Sequence, residues 1–155
     1  MGIKEQAFGF IVFRWKQGAA AASKVPEFLL LKAVEGHWSP PKGHPEGNET
    51  GLESAYRETE EEAGYKKHQL KVYEDFERHL HYDVRSRVDP TSTVRKRSSY
   101  WLARLLNPAD PVLISDEHTI FVWQELADAI KTAQFEDLQA LLTDSADFIS
   151  KLEES

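Results

Sequence analysis

The chain has 155 residues and a mass of 17.7 kDa, and its 41% apolar content is enough to bury the core of one domain over residues 1–155. It has no cysteine, which excludes disulfides and thiolate metal sites. Its net charge of −7 disfavours long nucleic acid and acidic membranes as partners, and its N-terminal apolar run is too short to span a bilayer.

Two strands and a long loop are predicted in the first third of the chain. Residues 6–15 are rich in β-branched and aromatic side chains, which favours a strand. Residues 27–33 form a second apolar run, which we expect to be a strand buried on both faces. A loop of small residues joins them at 17–24. The segment 34–51 carries four glycines and three prolines, which excludes regular structure and predicts a shaped loop.

A helix over residues 51–63 is marked at both ends. Thr50 and Glu53 have the spacing of a capping box, in which each side chain accepts a hydrogen bond from the backbone of the other residue. Gly64 stands where helices commonly end on a left-handed residue. The sequence therefore predicts the helix boundaries from local signals alone.

The second half of the chain continues with strands and ends in helix. Strands are predicted at 70–82, 98–106 and 120–123, with a basic, turn-prone loop at 83–99 between the first two. A helix is expected to begin near residue 124. From Phe135 onward, apolar residues recur near the helical period, which predicts a further helix. This order of elements indicates an α+β fold built on a mixed sheet.

The helix at 51–63 carries three carboxylates on one arc. At 3.6 residues per turn, Glu58, Glu61 and Glu62 project within about 100° of one another, at the border of the apolar face. Like charges at these spacings repel and destabilise the helix, so we expect a bound cation to offset that repulsion. Mg²⁺ prefers carboxylate oxygens as ligands. Arg57 is placed to pair with Glu61. The plain alternative is a solvated acidic face.

The segment that contains these residues resembles the Nudix box. That pattern is Gly, five residues, Glu, seven residues, Arg-Glu, an apolar residue, any residue, Glu-Glu, any residue, Gly and an apolar residue. The matching residues, in register and without a gap, are Gly43, Glu49, Arg57, Glu58, Glu61, Glu62 and Gly64. Thr59 and Tyr65 depart mildly from the two apolar positions.

The resemblance implies a Nudix fold, an αβα sandwich around a mixed sheet, and hydrolysis of a nucleoside diphosphate linked to another group. It implies Mg²⁺ as cofactor, with Mn²⁺ as a substitute, held by Glu58, Glu61 and Glu62. Such metal ions neutralise phosphate charge and lower the pKa of bound water. Arg57 would orient the glutamates. Catalytic roles are thus expected for Arg57, Glu58 and Glu62.

Three short segments outside the box, HWSPPKGH at 37–44, YWLA at 100–103 and DEHTIFVW at 116–123, resemble the asymmetrical diadenosine tetraphosphate hydrolases. That family cleaves diadenosine tetraphosphate to ATP and AMP. The resemblance implies substrate-binding roles for His37, Lys42, Tyr82, Lys96, Tyr100 and Phe135, and a catalytic or metal-binding role for Glu117.

The residue types suit these roles. Lys42 and Lys96 carry charges that a polyphosphate would bind, and Lys96 belongs to the basic loop at 83–99, which we expect to be mobile without ligand. Tyr82 and Tyr100 flank that loop and suit adenine stacking or a phosphate contact. The plain alternatives are solvated charges for the lysines and core packing for Tyr82, Tyr100 and Phe135.

Several alternatives stay open at this point. Other Nudix substrates, namely an RNA 5' end or a diphosphoinositol polyphosphate, would use the same box, and a noncatalytic nucleotide-binding module is a third hypothesis. The three mutually repelling carboxylates disfavour a pure binder. With no cysteine and no targeting segment, we expect a cytoplasmic monomer that acts on a dinucleoside polyphosphate, with access to the nucleus left open.

Overall fold

The computed structural model describes residues 2–18, 24–34, 36–116 and 118–152. The strands are β1 (Glu5–Trp15), β2 (Pro26–Ala33), β3 (Trp38–Ser39), β4 (Lys42–Gly43), β5 (Leu70–Arg85), β6 (Thr93–Leu105) and β7 (His118–Gln124). The helices are α1 (Gly51–Ala63), α2 (Leu126–Ala133) and α3 (Glu136–Ser150), with a short 3₁₀ turn at Lys67–Gln69. None of the helices within these ranges has the length and apolar character needed to cross a bilayer.

The seven strands form one mixed sheet around β1. Strand β1 pairs in parallel with β6 and antiparallel with β2 and β4. Strand β6 pairs with β5 in a long antiparallel hairpin, and β2 also pairs with β3 and β7. Since β1 lies between β4 and β6, it brings Lys42 opposite Gly9 and Lys96 opposite Glu5.

Two hydrophobic cores cover the two faces of the sheet. Phe28 and Leu30 of β2 belong to a cluster that includes side chains of α2 and α3. Leu29 and Leu31, which point to the opposite face, belong to a cluster that includes side chains of α1. The prediction that this strand is buried on both faces is confirmed. The architecture is an αβα sandwich, as expected for the α+β class.

Helix α1 begins and ends at the predicted residues. The Thr50 side chain accepts from the Glu53 N–H at 3.1 Å, and the Glu53 carboxylate accepts from the Thr50 N–H at 2.9 Å, so the capping box forms. Gly64 has φ 81° and donates to the carbonyl of Glu60 at 2.9 Å. The capping signals therefore placed this helix correctly.

Two sequence predictions about loops were wrong. The segment 34–51 contains β3 and β4, because the backbone there pairs with Leu31 and Lys32 of β2 and with Phe8 and Gly9 of β1. The expected loop at 83–99 is mostly strand, since β5 runs to Arg85 and β6 begins at Thr93. Cross-strand pairing overrides the polar composition of both segments.

Candidate functional site

The carboxylates of α1 differ in how deeply they are buried. The Glu62 side chain is 9% exposed and that of Glu58 12%, whereas that of Glu61 is 55% exposed. Glu60 is exposed, as its position on the helix predicts. The three glutamates thus extend from the packed face of the helix to solvent.

Arg57 ties these glutamates to the loop before the helix. Its guanidinium donates to both oxygens of Glu49 at 2.7 and 3.0 Å, to Glu58 at 2.6 Å and to Glu61 at 3.1 Å. It also donates to the carbonyl of His44 at 2.8 Å. These bonds lower the pKa of Glu49 to about 2, chiefly through Arg57, so Glu49 stays charged at neutral pH. The predicted Arg57 and Glu61 pair is present.

Two glycines let this loop pack tightly. A Cβ added to Gly43 would overlap the carboxylate of Glu58, and one added to Gly9 would overlap the carbonyl oxygen of Pro41. The absence of these side chains allows β4 to lie against β1 on one side and α1 on the other. Close approach, rather than unusual backbone angles, requires glycine at both positions.

Glu62 faces the same loop. Its Oε1 accepts from the Lys42 backbone N–H at 3.0 Å and lies 3.9 Å from Nε2 of His118. Sequence reasoning assigned no role to His118. Its position beside Glu117 in the DEHT segment was the available signal, and strand β7 brings it close to Glu62 of α1.

Glu58 and Glu61 offer carboxylate oxygens, the kind of donor that hard divalent cations prefer. One nitrogen of Arg57 lies within 3.1 Å of oxygens of both Glu58 and Glu61, so the two carboxylates already converge around a positive group. Within the described ranges, no three acidic or histidine side chains are close enough to hold a metal together. Glu117, the fourth expected ligand, lies outside the described residues.

A group of basic side chains lies beside the carboxylates. Burial lowers the pKa of His44 to about 4, and the charges of Lys96, Arg87 and Lys42 act in the same direction. Burial likewise lowers the pKa of Lys96 to about 8, with Lys42 and Arg87 contributing. Glu5 opposes both shifts. The group therefore carries an excess of positive charge that suits an anionic ligand.

His44 was missed by the sequence reasoning, whereas Arg87 belongs to the basic loop at 83–99 that this reasoning singled out. Nε2 of His44 is buried and has no hydrogen-bond partner within the described part of the chain. Arg87 belongs to the short connection between β5 and β6, and its charge acts on both His44 and Lys96. Only the tertiary contact between hairpin and loop shows that these residues belong with Lys42.

Two predicted tyrosines occupy different environments on the same hairpin. Tyr82 is half-buried and lies opposite Lys96 in the pairing of β5 with β6. Its hydroxyl oxygen is 2.6 Å from Oγ of Ser98. Tyr100 is 2% exposed and belongs to the core that faces α2 and α3. Burial raises the pKa of Tyr100, and the nearby Tyr82 and Glu62 act in the same direction. Tyr82 has the more accessible ring, whereas Tyr100 is buried in the core.

His37 and Phe135 are brought together at the far side of the sheet. Their ring centroids are 5.8 Å apart, and both side chains are exposed, Phe135 by 54%. The alternative that Phe135 packs in the core is therefore wrong, although its neighbours Leu138, Leu141 and Leu142 are buried as the apolar stripe predicted.

The profile of the NUDIX domain family matches residues 6–144. An asymmetrical bis(5'-nucleosyl)-tetraphosphatase of Rattus norvegicus is 38% identical over 146 residues, which are 93% of this chain and 95% of that protein. The enzyme of the same name from Caenorhabditis elegans is 39% identical over 147 residues, covering 94% and 96% of the two chains.

Solved structures agree with this similarity. A crystal structure of a C. elegans Ap4A hydrolase binary complex superposes with a TM-score of 0.84 and 37% identity, covering 96% of this chain and all of that one. The E. coli dihydroneopterin triphosphate pyrophosphohydrolase shares the fold at a TM-score of 0.68, with 16% identity over 92% of this chain and 97% of that one.

Proposed function

The chain belongs to the Nudix hydrolase family, and from this premise we propose that it cleaves diadenosine tetraphosphate asymmetrically into ATP and AMP. The observation that carries the proposal is the position of the carboxylates of α1 beside the basic group. Glu62 accepts the backbone N–H of Lys42, while the charge of Lys42 acts on Lys96 and His44. The similarity to asymmetrical tetraphosphatases over 93% or more of the chain supports this choice of substrate.

The carboxylates would bind the metal and the basic residues would bind the polyphosphate. Mg²⁺, or Mn²⁺ in its place, held by Glu58, Glu61, Glu62 and Glu117, would supply charge neutralisation and a more acidic bound water. Arg57 keeps Glu58 and Glu61 oriented through its hydrogen bonds to both.

On the substrate side, Lys42 and Lys96 neutralise phosphate oxygens, and their positions on β4 and β6, which flank β1, fix the course of the phosphate chain. His37 donates a hydrogen bond to a further phosphate. Tyr82 and Phe135 each offer a partly exposed ring to an adenine base. To Tyr100 we assign a hydroxyl contact with phosphate.

The catalytic proton transfers fall to carboxylates near the attacked phosphorus. Glu62 is buried beside His118, and Glu117 is its neighbour in sequence. A buried carboxylate within reach of a water molecule acts as a general base. We assign this step to Glu62 or Glu117, in a single-domain monomer.

Hydrolysis of diadenosine tetraphosphate in oxygen-18 water tests the proposal. The expected products are ATP and AMP. The label should be in AMP, because water attacks the fourth phosphorus from one adenosine and that phosphorus is released in AMP. A diphosphoinositol polyphosphate and a triphosphorylated RNA end serve as comparison substrates. Survival of diadenosine tetraphosphate together with rapid cleavage of either comparison substrate would contradict the proposal.

A further inference from the structure

The connection between α2 and α3 contains a strained backbone turn at Gln134. This residue has φ 67° and ψ −40°, and it is the only residue other than glycine with positive φ in the described ranges. The N–H of Phe135 donates to the carbonyl of Ala133 at 2.8 Å, which closes a γ-turn around Gln134. A γ-turn with positive φ is rare and costly for a residue that carries a side chain.

The surroundings hold this turn from both sides. Ala133 before it and Leu138 after it are buried in the same core. The backbone N–H of Gln139 donates to the carbonyl of Phe135 at 2.9 Å, and its side-chain amide donates to the carbonyl of Ile130 at 2.8 Å. Strained turns persist where neighbouring structure determines them in this way.

The turn decides where Phe135 points. Ala133 and Leu138 enter the core, whereas Phe135 is turned outward and its ring lies near the exposed ring of His37. The fold thus tolerates both a strained backbone and an exposed aromatic side chain at one point. Neither the strained turn nor the exposed ring stabilises the core. Because both lie beside His37, a proposed substrate-binding residue, they point to a functional role.

We propose that Gln134 is a positioning residue whose γ-turn holds Phe135 against His37 as a fixed aromatic wall for one adenine base. The inference rests on the proposed function and adds to it a reason for the outward orientation of Phe135. The backbone conformation of Gln134 performs this role, because its side chain is exposed.

Comparing a ligand that has adenine bases with one that has only phosphates distinguishes a loss of base contacts from a loss of phosphate contacts. Binding of diadenosine tetraphosphate, and of inorganic tetraphosphate without bases, is measured by calorimetry with EDTA present to prevent turnover. Gln134→Ala keeps the turn and should change neither affinity by more than about twofold. Gln134→Pro fixes φ near −65° and abolishes the turn, so it should weaken binding of the dinucleotide at least about fivefold and leave inorganic tetraphosphate unchanged.

Gln134→Val, whose branched side chain disfavours positive φ, replaces the proline variant if that protein does not fold. Phe135→Leu supplies a double-mutant cycle with Gln134→Pro or Gln134→Val. If Gln134 acts through Phe135, the double variant should bind no more weakly than Phe135→Leu alone. Equal losses for both ligands, additive losses in the cycle, or unchanged binding of the dinucleotide would overturn the inference.

Turnover of diadenosine tetraphosphate by the unsubstituted chain with Mg²⁺ is measured on the same preparations. Failure of that turnover contradicts the proposed function. Normal turnover of the unsubstituted chain together with unaltered dinucleotide binding in Gln134→Pro or Gln134→Val contradicts only the role of the turn. Where they hydrolyse the substrate, Gln134→Pro, Gln134→Val and Phe135→Leu should show a raised KM and a kcat within about twofold of that of the unsubstituted chain, whereas Gln134→Ala should match it in both.

Discussion

The guanidinium of Arg57 donates to both carboxylate oxygens of Glu49, at 2.7 and 3.0 Å, and so joins α1 to the loop that precedes it. The same guanidinium donates to Glu58 and Glu61. One side chain therefore links the loop to the helix and orients the carboxylates of Glu58 and Glu61.

Arg57→Lys should lower kcat for diadenosine tetraphosphate about 10- to 100-fold, because an ammonium group cannot reproduce the forked hydrogen bonds of a guanidinium. The melting temperature should also fall. Arg78→Lys is the matched control, since Arg78 is exposed and lies 3.8 Å from Asp144. Steady-state kinetics that show equal activity for the two variants would contradict the role of Arg57.

Glu62→Gln should retain the fold and ligand binding and lose roughly 10²- to 10⁴-fold in kcat. The amide oxygen of glutamine can still accept the Lys42 N–H, whereas the charge needed for metal binding or proton transfer is gone. Glu60→Gln, at the exposed position of the same helix, should be fully active. Single-turnover hydrolysis and calorimetric binding measure the two effects, and unchanged hydrolysis removes Glu62 from the mechanism.

Gly43→Ala should lower kcat by roughly 10²-fold, because the added methyl group displaces the Glu58 carboxylate. Gly47→Ala in the same loop is the control. It has open space around it but φ 54°, so it should cost about 1–2 kcal/mol of stability and keep its activity. Urea denaturation and kcat distinguish the two variants. A fully active Gly43→Ala protein would contradict the role of close packing at this position.

Affinity for the substrate should fall as pH rises through about 8. The pKa of Lys96 is lowered to about 8 by burial, so its charge is present below that pH and lost above it. Loss of one required proton weakens binding by up to about tenfold per pH unit. KM is measured across this range for the original chain and for Lys96→Arg, which stays charged. The same pH dependence in both would exclude Lys96 as its cause.

Mg²⁺ should raise the melting temperature of the original chain, because a ligand that binds only the folded state stabilises it. The increase should be smaller in Glu58→Gln and unchanged in Glu60→Gln. Chelation should abolish hydrolysis and restore the melting temperature of the metal-free protein. A Glu58→Gln protein with the full stabilisation by Mg²⁺ would place the metal elsewhere.

Local signals in the sequence were enough to predict helix α1 and the arrangement of its charged residues. Helix α1 was predicted at its true boundaries because capping depends on contacts within three or four residues of each end. The buried strand β2 was also predicted from a local signal, because a continuous apolar run of strand length indicates burial on both faces. The register of the glutamates with Arg57 is likewise a property of helical spacing.

The substrate side of the site depended on long-range pairing. The segment 83–99 is polar and turn-prone by composition, yet most of it is strand because β5 and β6 pair with each other and β6 with β1. Lys42 and Lys96 become neighbours only because β1 lies between β4 and β6. His44 and His118 carried no comparable local signal.

The sequence by itself determined the cluster of charged side chains on α1, because the spacing of Arg57, Glu58, Glu61 and Glu62 along one helix places them together without any distant contact. Only the tertiary structure decided which cations lie near them and which rings are accessible. Phe135 shows the difference: its periodicity allowed a place in the core, but in the fold it follows a γ-turn at Gln134 and its ring is exposed. Helical spacing is a local constraint, whereas exposure is set by what the rest of the chain packs against.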